Sequence, residues 1–379
     1  MSFSCGRVVQ FFIVGPLHRK RSEGADDEER PTIQSPRERS DLQQTSTKTL
    51  QPQCQPQAGT RLHPTKTKTT TINENENHKR KRKLSKPPVR HSGPMRLHLV
   101  DGTFELFRAH HSKRPDRPLK AAVGLAAQLL QLLHNPAEDV THLAVAFDNP
   151  IRSFRNDLFA GYKTDEDVPP ELREQFDLAE EATRAVGAVV WSMKEWEADD
   201  ALATGAARFR GQVDQVRILT PDKDLGQCLE GERVVQVDVI RKRVLDESAL
   251  LQRRGVRPES VPDFLALTGD EADGIPGLPG FGERTASALL ARFIHLPDVP
   301  LDARAWPDGV RGADRLAATL RDHLPDALLY RKLATLVTDV PLRESLEDLR
   351  FQGVPRGRFD EFCARTAAPE LRERPTRWG

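Results

Sequence analysis

Cysteine is scarce in this chain, with four among 379 residues. Cys5, Cys54, Cys228 and Cys363 include no CxxC pair. That spacing excludes a zinc site and a disulfide framework, and it fits a reducing, cytoplasmic compartment. Long apolar runs are missing as well. Val9 to Val14 comes nearest, but it is too short to span a bilayer. With basic residues after it and no small-residue cleavage site, it also makes a poor signal peptide, so no membrane partner is expected. There is no Walker A loop, no Ser-His-Asp arrangement, no thiol nucleophile and no His/Cys cluster. Covalent catalysis and zinc chemistry therefore have no residues to run on. No internal repeat is present.

Net charge is nearly absent too, at +1, but the neutrality hides a division. Residues 1–94 hold 18 Lys and Arg against 9 Asp and Glu, a net of +9, which leaves 39 against 47 over 95–379, a net of −8. The first segment is rich in Gln, Thr, Ser and Pro and cannot bury enough apolar surface to offset its ordering entropy, so it reads as a disordered basic tail. His78 to Lys83 within it is a basic run, read as solvated charge before any nuclear address. An acidic body argues against nucleic-acid binding, unless its carboxylates gather to hold cations.

Apolar runs and helical spacings fall into a βα alternation. Leu97–Val100, His142–Phe147, Ala188–Trp191, Val216–Thr220 and Val234–Val239 read as strands. Ala121–His134, Leu172–Val186 and Ala198–Phe209 read as helices. The pattern predicts an α/β domain over 95–260, with a mainly parallel sheet flanked by helices. From Val261 the pattern turns helical, with Pro262–Leu267, Arg284–Phe293, Leu316–Leu320 and Ala327–Leu336. This predicts a helical subdomain over 261–365, followed by a tail over 366–379.

Carboxylates stand just past the predicted strand ends at Asp101, at Asp148, and at Asp222 with Asp224. In open α/β sheets the carboxyl ends of strands form one ligand crevice. Glu197, Asp199 and Asp200 open a helix, and Asp270 and Asp273 precede a turn punctuated by Gly277, Gly280 and Gly282. Singly, each acid reads as a surface charge, a turn residue or a helix cap. Nine together in one crevice are unfavourable unless cations offset them. Oxygen ligands favour magnesium or manganese. Two such ions about 4 Å apart can polarise water and stabilise a leaving oxygen in phosphodiester hydrolysis. The glycine turn offers backbone N–H groups at a helix start, a grip for phosphate.

These motifs resemble the 5′ nuclease family, meaning the 5′→3′ exonuclease domain of bacterial DNA polymerase I and the related flap endonucleases. The carrying residues are Leu99-Val100-Asp101-Gly102-Thr103, then Ala146-Phe147-Asp148 with Phe154-Arg155 and Tyr162-Lys163. Glu197-Ala198-Asp199-Asp200, Asp222-Lys223-Asp224 and Gly269-Asp270 through Asp273-Gly274-Ile275-Pro276-Gly277 follow in the family's order. The resemblance spans about Met95 to Leu342. It implies a PIN-like or resolvase-like sheet domain, and a helix–hairpin–helix in the helical subdomain.

By the same resemblance the nine acids, Asp101, Asp148, Glu197, Asp199, Asp200, Asp222, Asp224, Asp270 and Asp273, hold two Mg²⁺ ions. Lys163 and Arg155 contact the scissile phosphate, with Tyr162 beside the substrate. Gly277, Leu278, Gly280, Gly282, Arg284 and Thr285 grip duplex phosphates, with K⁺ on the turn. Thr164-Asp165-Glu166-Asp167 is acidic, with Glu166 where the family has a basic residue.

The expectation is a free-standing, monomeric hydrolase acting on 5′ ends or flaps of double-stranded DNA in replication and repair. The alternative is a catalytically weak, structure-specific DNA-binding protein of the same fold. A haloacid-dehalogenase-like phosphatase is excluded because Leu99 stands where its aspartate nucleophile belongs.

Overall fold

Side-chain alternation places β1 (Arg96–Asp101) between two apolar cores at once. Leu97 and Leu99 point to one face, and Val100 points to the other. β2 (His142–Asp148) divides the same way, with Leu143, Val145 and Phe147 opposite Ala144 and Ala146. Strands apolar on both faces are what a parallel sheet covered on both sides requires. The computed structural model describes residues 93–166 and 168–379. The basic tail expected over 1–94 thus lies almost wholly outside the described residues.

In chain order the elements are β1, α1 (Gly102–His110), α2 (Lys120–His134), β2, α3 (Arg155–Leu158), α4 (Pro170–Arg173) and α5 (Phe176–Val186). Then come β3 (Val189–Met193), α6 (Ala198–Phe209), β4 (Gln215–Leu219), β5 (Val234–Asp238), β6 (Arg243–Leu245) and α7 (Glu247–Arg254). α8 (Val261–Thr268), α9 (Glu283–Phe293), α10 (Ala313–Asp322), α11 (Leu324–Ala334) and α12 (Arg356–Arg365) complete the chain.

The sheet runs β3-β2-β1-β4-β5-β6 and is parallel except for the antiparallel β5–β6 edge. The chain moves outward in one direction from β1 and in the other from β4. Their shared carboxyl end is therefore the switch point where open α/β sheets bind ligands. α1, α2, α5 and α12 cover one face, and α6 with residues 336–349 covers the other. α6 lies close to the sheet because Gly205 faces Trp191, where a Cβ would come within 2.7 Å of the indole.

The expected strands and most helices are present, with three differences. The helix read over Leu172–Val186 is broken between α4 and α5. At the break the Gln175 side chain accepts from the Ala121 and Ala122 N–H groups, capping α2. The second difference is β6, whose three residues carry too little periodicity to be read from sequence.

The third difference lies at the C-terminus. α8, α9, α10 and α11 form their own apolar core, but the chain then returns to the sheet. Arg350 bridges to His142, α12 joins the core under α5, and Trp378 bridges to Val354. Residues 366–379, expected as a tail, bury Ala368 and Leu371. No helix among the described residues is long and apolar enough to cross a membrane.

Candidate metal centre and active site

Three elements of the sheet bring the first acids together. Asp101 ends β1 and caps α1, with Oδ1 accepting from the Phe104 N–H at 2.8 Å. Its Oδ2 accepts from the Thr220 hydroxyl at 2.9 Å, and Thr220 Oγ1 in turn receives the Asp222 N–H. Thr220 thereby ties the end of β1 to the loop after β4. Asp148 ends β2 and accepts from the Ala198 N–H at 2.7 Å, which aims its carboxylate at the start of α6. There Glu197 and Asp200 form a reciprocal capping box. Asp199, between them, is left to point elsewhere.

The loop after α8 carries the remaining acids inward. Asp270 and Ile275 exchange two backbone hydrogen bonds of 2.7 and 2.8 Å, closing a tight hairpin. At its tip Gly274 has φ 74°, and a Cβ there would sit 2.1 Å from the Gly161 carbonyl. Only glycine allows that approach. It lets the Lys163 N–H reach the Asp273 carbonyl at 3.1 Å.

The Lys163 ammonium then bridges Glu197 Oε2 at 2.8 Å and Asp273 Oδ1 at 2.9 Å, joining the sheet to the helical unit. A second lysine, Lys223, pairs with Asp270 Oδ1 at 2.9 Å. Asp224, Asp270 and Asp273 are all buried, and each offers an oxygen within 4.8 Å of the other two.

Electrostatics separates the site into two kinds of carboxylate. Burial alone would raise Glu197, but Lys163 and then Arg155 hold it down at about 2. Asp101 and Asp273 are pushed up to about 7, first by burial and then by neighbouring carboxylates. Asp148 and Asp222 are raised for the same reasons, and Asp199 and Asp224 are raised well above the ordinary value. Asp199 Oδ1 and Asp224 Oδ1 are buried with no hydrogen-bond partner. Buried carboxylate oxygens without donors lack the partners that such groups need. A hard divalent cation, which takes oxygen ligands, fits this donor set.

All nine expected acids converge, but they do not share one environment. Asp200 is fully buried and holds Arg155 through two 2.7 Å bonds, while also accepting the Val337 and Glu197 N–H groups. Its oxygens are occupied, so it acts as scaffold here, not as an open ligand.

Arg155 is likewise not positioned for a phosphate. It is 1 % exposed and donates to Glu197, Asp200 and the carbonyls of Leu333 and Thr335. A guanidinium so surrounded clamps α6 to the end of α11. Tyr162 is buried in the helical core, and its hydroxyl donates to Glu197 Oε2 at 3.2 Å. Lys163 keeps 27 % of its side chain exposed.

Gly280 and Gly282 in the turn before α9, and Arg284 in its first turn, are exposed. Gly277 and Leu278 are buried, and the Leu278 N–H is donated to the Leu267 carbonyl at 2.9 Å. Leu278 therefore offers no N–H to a phosphate.

Sequence reasoning missed Ser153, whose hydroxyl donates to Glu197 Oε1 at 2.6 Å, together with Thr220 and Lys223. Thr220 carried a usable signal: a buried-strand end with a hydroxyl two residues before an aspartate. Ser153 carried none.

Two family models match consecutive stretches. The 5′-3′ exonuclease N-terminal resolvase-like domain matches residues 96–255, and the 5′-3′ exonuclease C-terminal SAM fold matches residues 256–356. Among curated proteins, the chain is 34 % identical over 300 residues to DNA polymerase I of Bacillus caldotenax, covering 73 % of this chain and 33 % of that one. It is 36 % identical over 265 residues to DNA polymerase I of Rhizobium leguminosarum, covering 67 % and 26 %. The chain thus spans about a third or less of the length of these relatives. Among solved structures, the zinc-bound phage T5 5′-exonuclease superposes with a TM-score of 0.51 at 19 % identity, covering 73 % of this chain and 100 % of that one. That likeness concerns the fold alone. With both family models aligned end to end across the sheet and the helical unit, the chain belongs to the 5′-3′ exonuclease family of nucleases.

Proposed function

We propose that this protein hydrolyses phosphodiester bonds at DNA 5′ ends or flaps, using two Mg²⁺ ions that Mn²⁺ can replace. One observation carries the reading. Asp224, Asp270 and Asp273 converge within 4.8 Å, buried, with an orphaned Asp224 oxygen and a lysine on either side. In this reading those three hold one ion, while Asp101, Asp148, Asp199 and Asp222 gather around the other. A bound divalent cation supplies Lewis acidity, lowering the pKa of a water and neutralising phosphate charge.

The chain's own groups do the rest. Lys163, half-buried between Glu197 and Asp273, presents its ammonium to a phosphate oxygen. Glu197 fixes that ammonium, and Ser153 and Tyr162 fix Glu197 in turn. Exposed Gly280, Gly282 and Arg284, with Thr285, hold duplex phosphates further along, and K⁺ binds on the turn. Phosphate contacts, not base contacts, position the substrate. The protein works as a monomer in the cytoplasm, on double-stranded DNA carrying a 5′ end or flap.

The test is a 5′-labelled flap duplex incubated with purified protein in magnesium and in chelator. Magnesium-dependent release of short 5′ products is expected. Binding without cleavage at any magnesium concentration would leave only a structure-specific binder.

A further inference from the structure

Beside the acidic set, and lined in part by its own Asp222 and Asp270 with Lys223, lies a cleft of about 960 Å³. The Thr268–Pro276 hairpin lines it with Asp270 and Glu271, and four arginines line it from other elements. Arg241 comes from the β5–β6 turn, Arg243 from β6, and Arg253 with Arg254 from the last turn of α7. The charge is incompletely answered. Arg241 and Arg243 share a single carboxylate, Asp238, at 3.0 and 3.1 Å. Neither Arg253 nor Arg254 pairs with a carboxylate among the described residues.

The crowding is visible at Arg243. Its Nε is buried with no hydrogen-bond partner, and burial followed by repulsion from Arg253 draws its pKa down. Arg253 and Arg254 gain from the C-terminus of α7, where cations complement the helix dipole. That gain does not account for two more arginines facing them from another element. In a body with a net charge of −8, four guanidinium groups converging on one cleft make a local positive site suited to an anion.

We propose that this arginine cleft binds backbone phosphates of the nucleic acid strand lying across the acidic site, a few nucleotides from the reacting bond. The inference rests on the nuclease reading for its substrate class. Lys223 and Asp270 belong to both the cleft and the acidic set, so a strand held in one continues directly into the other. Guanidinium groups suit the role because their planar donors match phosphate oxygens in pairs.

The test is the double variant Arg241→Ala/Arg253→Ala, both at exposed positions. Its Kd is measured for a fluorescein-labelled 5′-flap duplex, a single strand and a blunt duplex, with calcium in place of magnesium, over a range of salt. Kd for the flap duplex is expected to rise tenfold or more, while kcat at saturating substrate moves far less. The slope of log affinity against log salt should become shallower by about 0.7–0.9 for each phosphate that loses its arginine. Arg253→Lys should recover part of the affinity. A loss confined to the single strand assigns the cleft to a flap, and a loss confined to the blunt duplex assigns it to the paired region. Unchanged Kd and slope on all three probes, in a protein that cleaves, would overturn the cleft and leave the nuclease intact. A wild type that binds but never cleaves, with binding still lost in the double variant, would overturn the nuclease reading and leave the cleft standing.

Discussion

The two ends of the acidic set are neutralised by opposite means. At the deep end Glu197 and Asp200 are met by Arg155, Lys163, two hydroxyls and three backbone N–H groups, so every carboxylate oxygen has a donor. At the open end Asp199 and Asp224 keep buried oxygens with no donor at all. Fixed cations make the deep end a clamp between α6 and the helical unit. The open end is left under mutual repulsion that a proton or a bound cation relieves. A sequence motif such as Glu-Ala-Asp-Asp therefore mixes two jobs, and adjacent acids, Asp199 and Asp200, fall on either side of the divide.

The comparison breaks most sharply at Asp224. Asp224→Ala is expected to lower turnover at least 10⁴-fold, on the order of 5 kcal/mol in activation free energy. Its melting temperature in chelator should stay level or rise, because the substitution removes repulsion from Asp222, Asp270 and Asp273. Single-turnover cleavage and a thermal melt check the two halves. A variant that cuts normally would remove Asp224 from the site, whatever its burial.

At the deep end the effect should fall on folding. Arg155→Ala leaves Asp200 fully buried without its partner, a change expected to destabilise by about 3–5 kcal/mol. Arg155→Lys should recover little, because one ammonium cannot reproduce two parallel bonds to Asp200 together with those to Leu333 and Thr335. Chemical denaturation measures it. A stable Arg155→Ala variant with lost cleavage would instead mean that the arginine serves the substrate.

This is also where the sequence stops being legible. Strand ends and their aspartates can be read from alternation and position, since a buried parallel strand leaves few other patterns. The motifs single out nine acids that the fold gathers. They do not say which are salt-bridged, because that depends on Leu333 and Thr335, nearly 180 residues from Arg155 along the chain. The resemblance accordingly puts Arg155 at a phosphate, whereas the side chain lies in the interior. The return of α12 to the sheet is hidden for a similar reason. Phe359 and Phe362 look like any amphipathic helix until α5 supplies their partner surface.

The smallest effect tests the open end by its protons. Asp101 and Asp273, raised to about 7 from 3.8, favour the folded state while protonated. Their contribution is fully present below about pH 4 and is lost as pH rises through 7. The cation-free protein should thus carry a growing penalty from these groups between pH 4 and 7. A divalent ion competes with the same protons, so it should stabilise more at pH 8 than at pH 5.5. At a hundredfold excess over Kd the gain at pH 8 is about 2.7 kcal/mol, a melting shift of several degrees. At pH 5.5 the shift should shrink to a fraction of that. Glu197, already paired with cations, should contribute nothing to the difference. An equal magnesium shift at both pH values would mean that the ion binds away from the raised carboxylates, and the contrast between the two ends would fail.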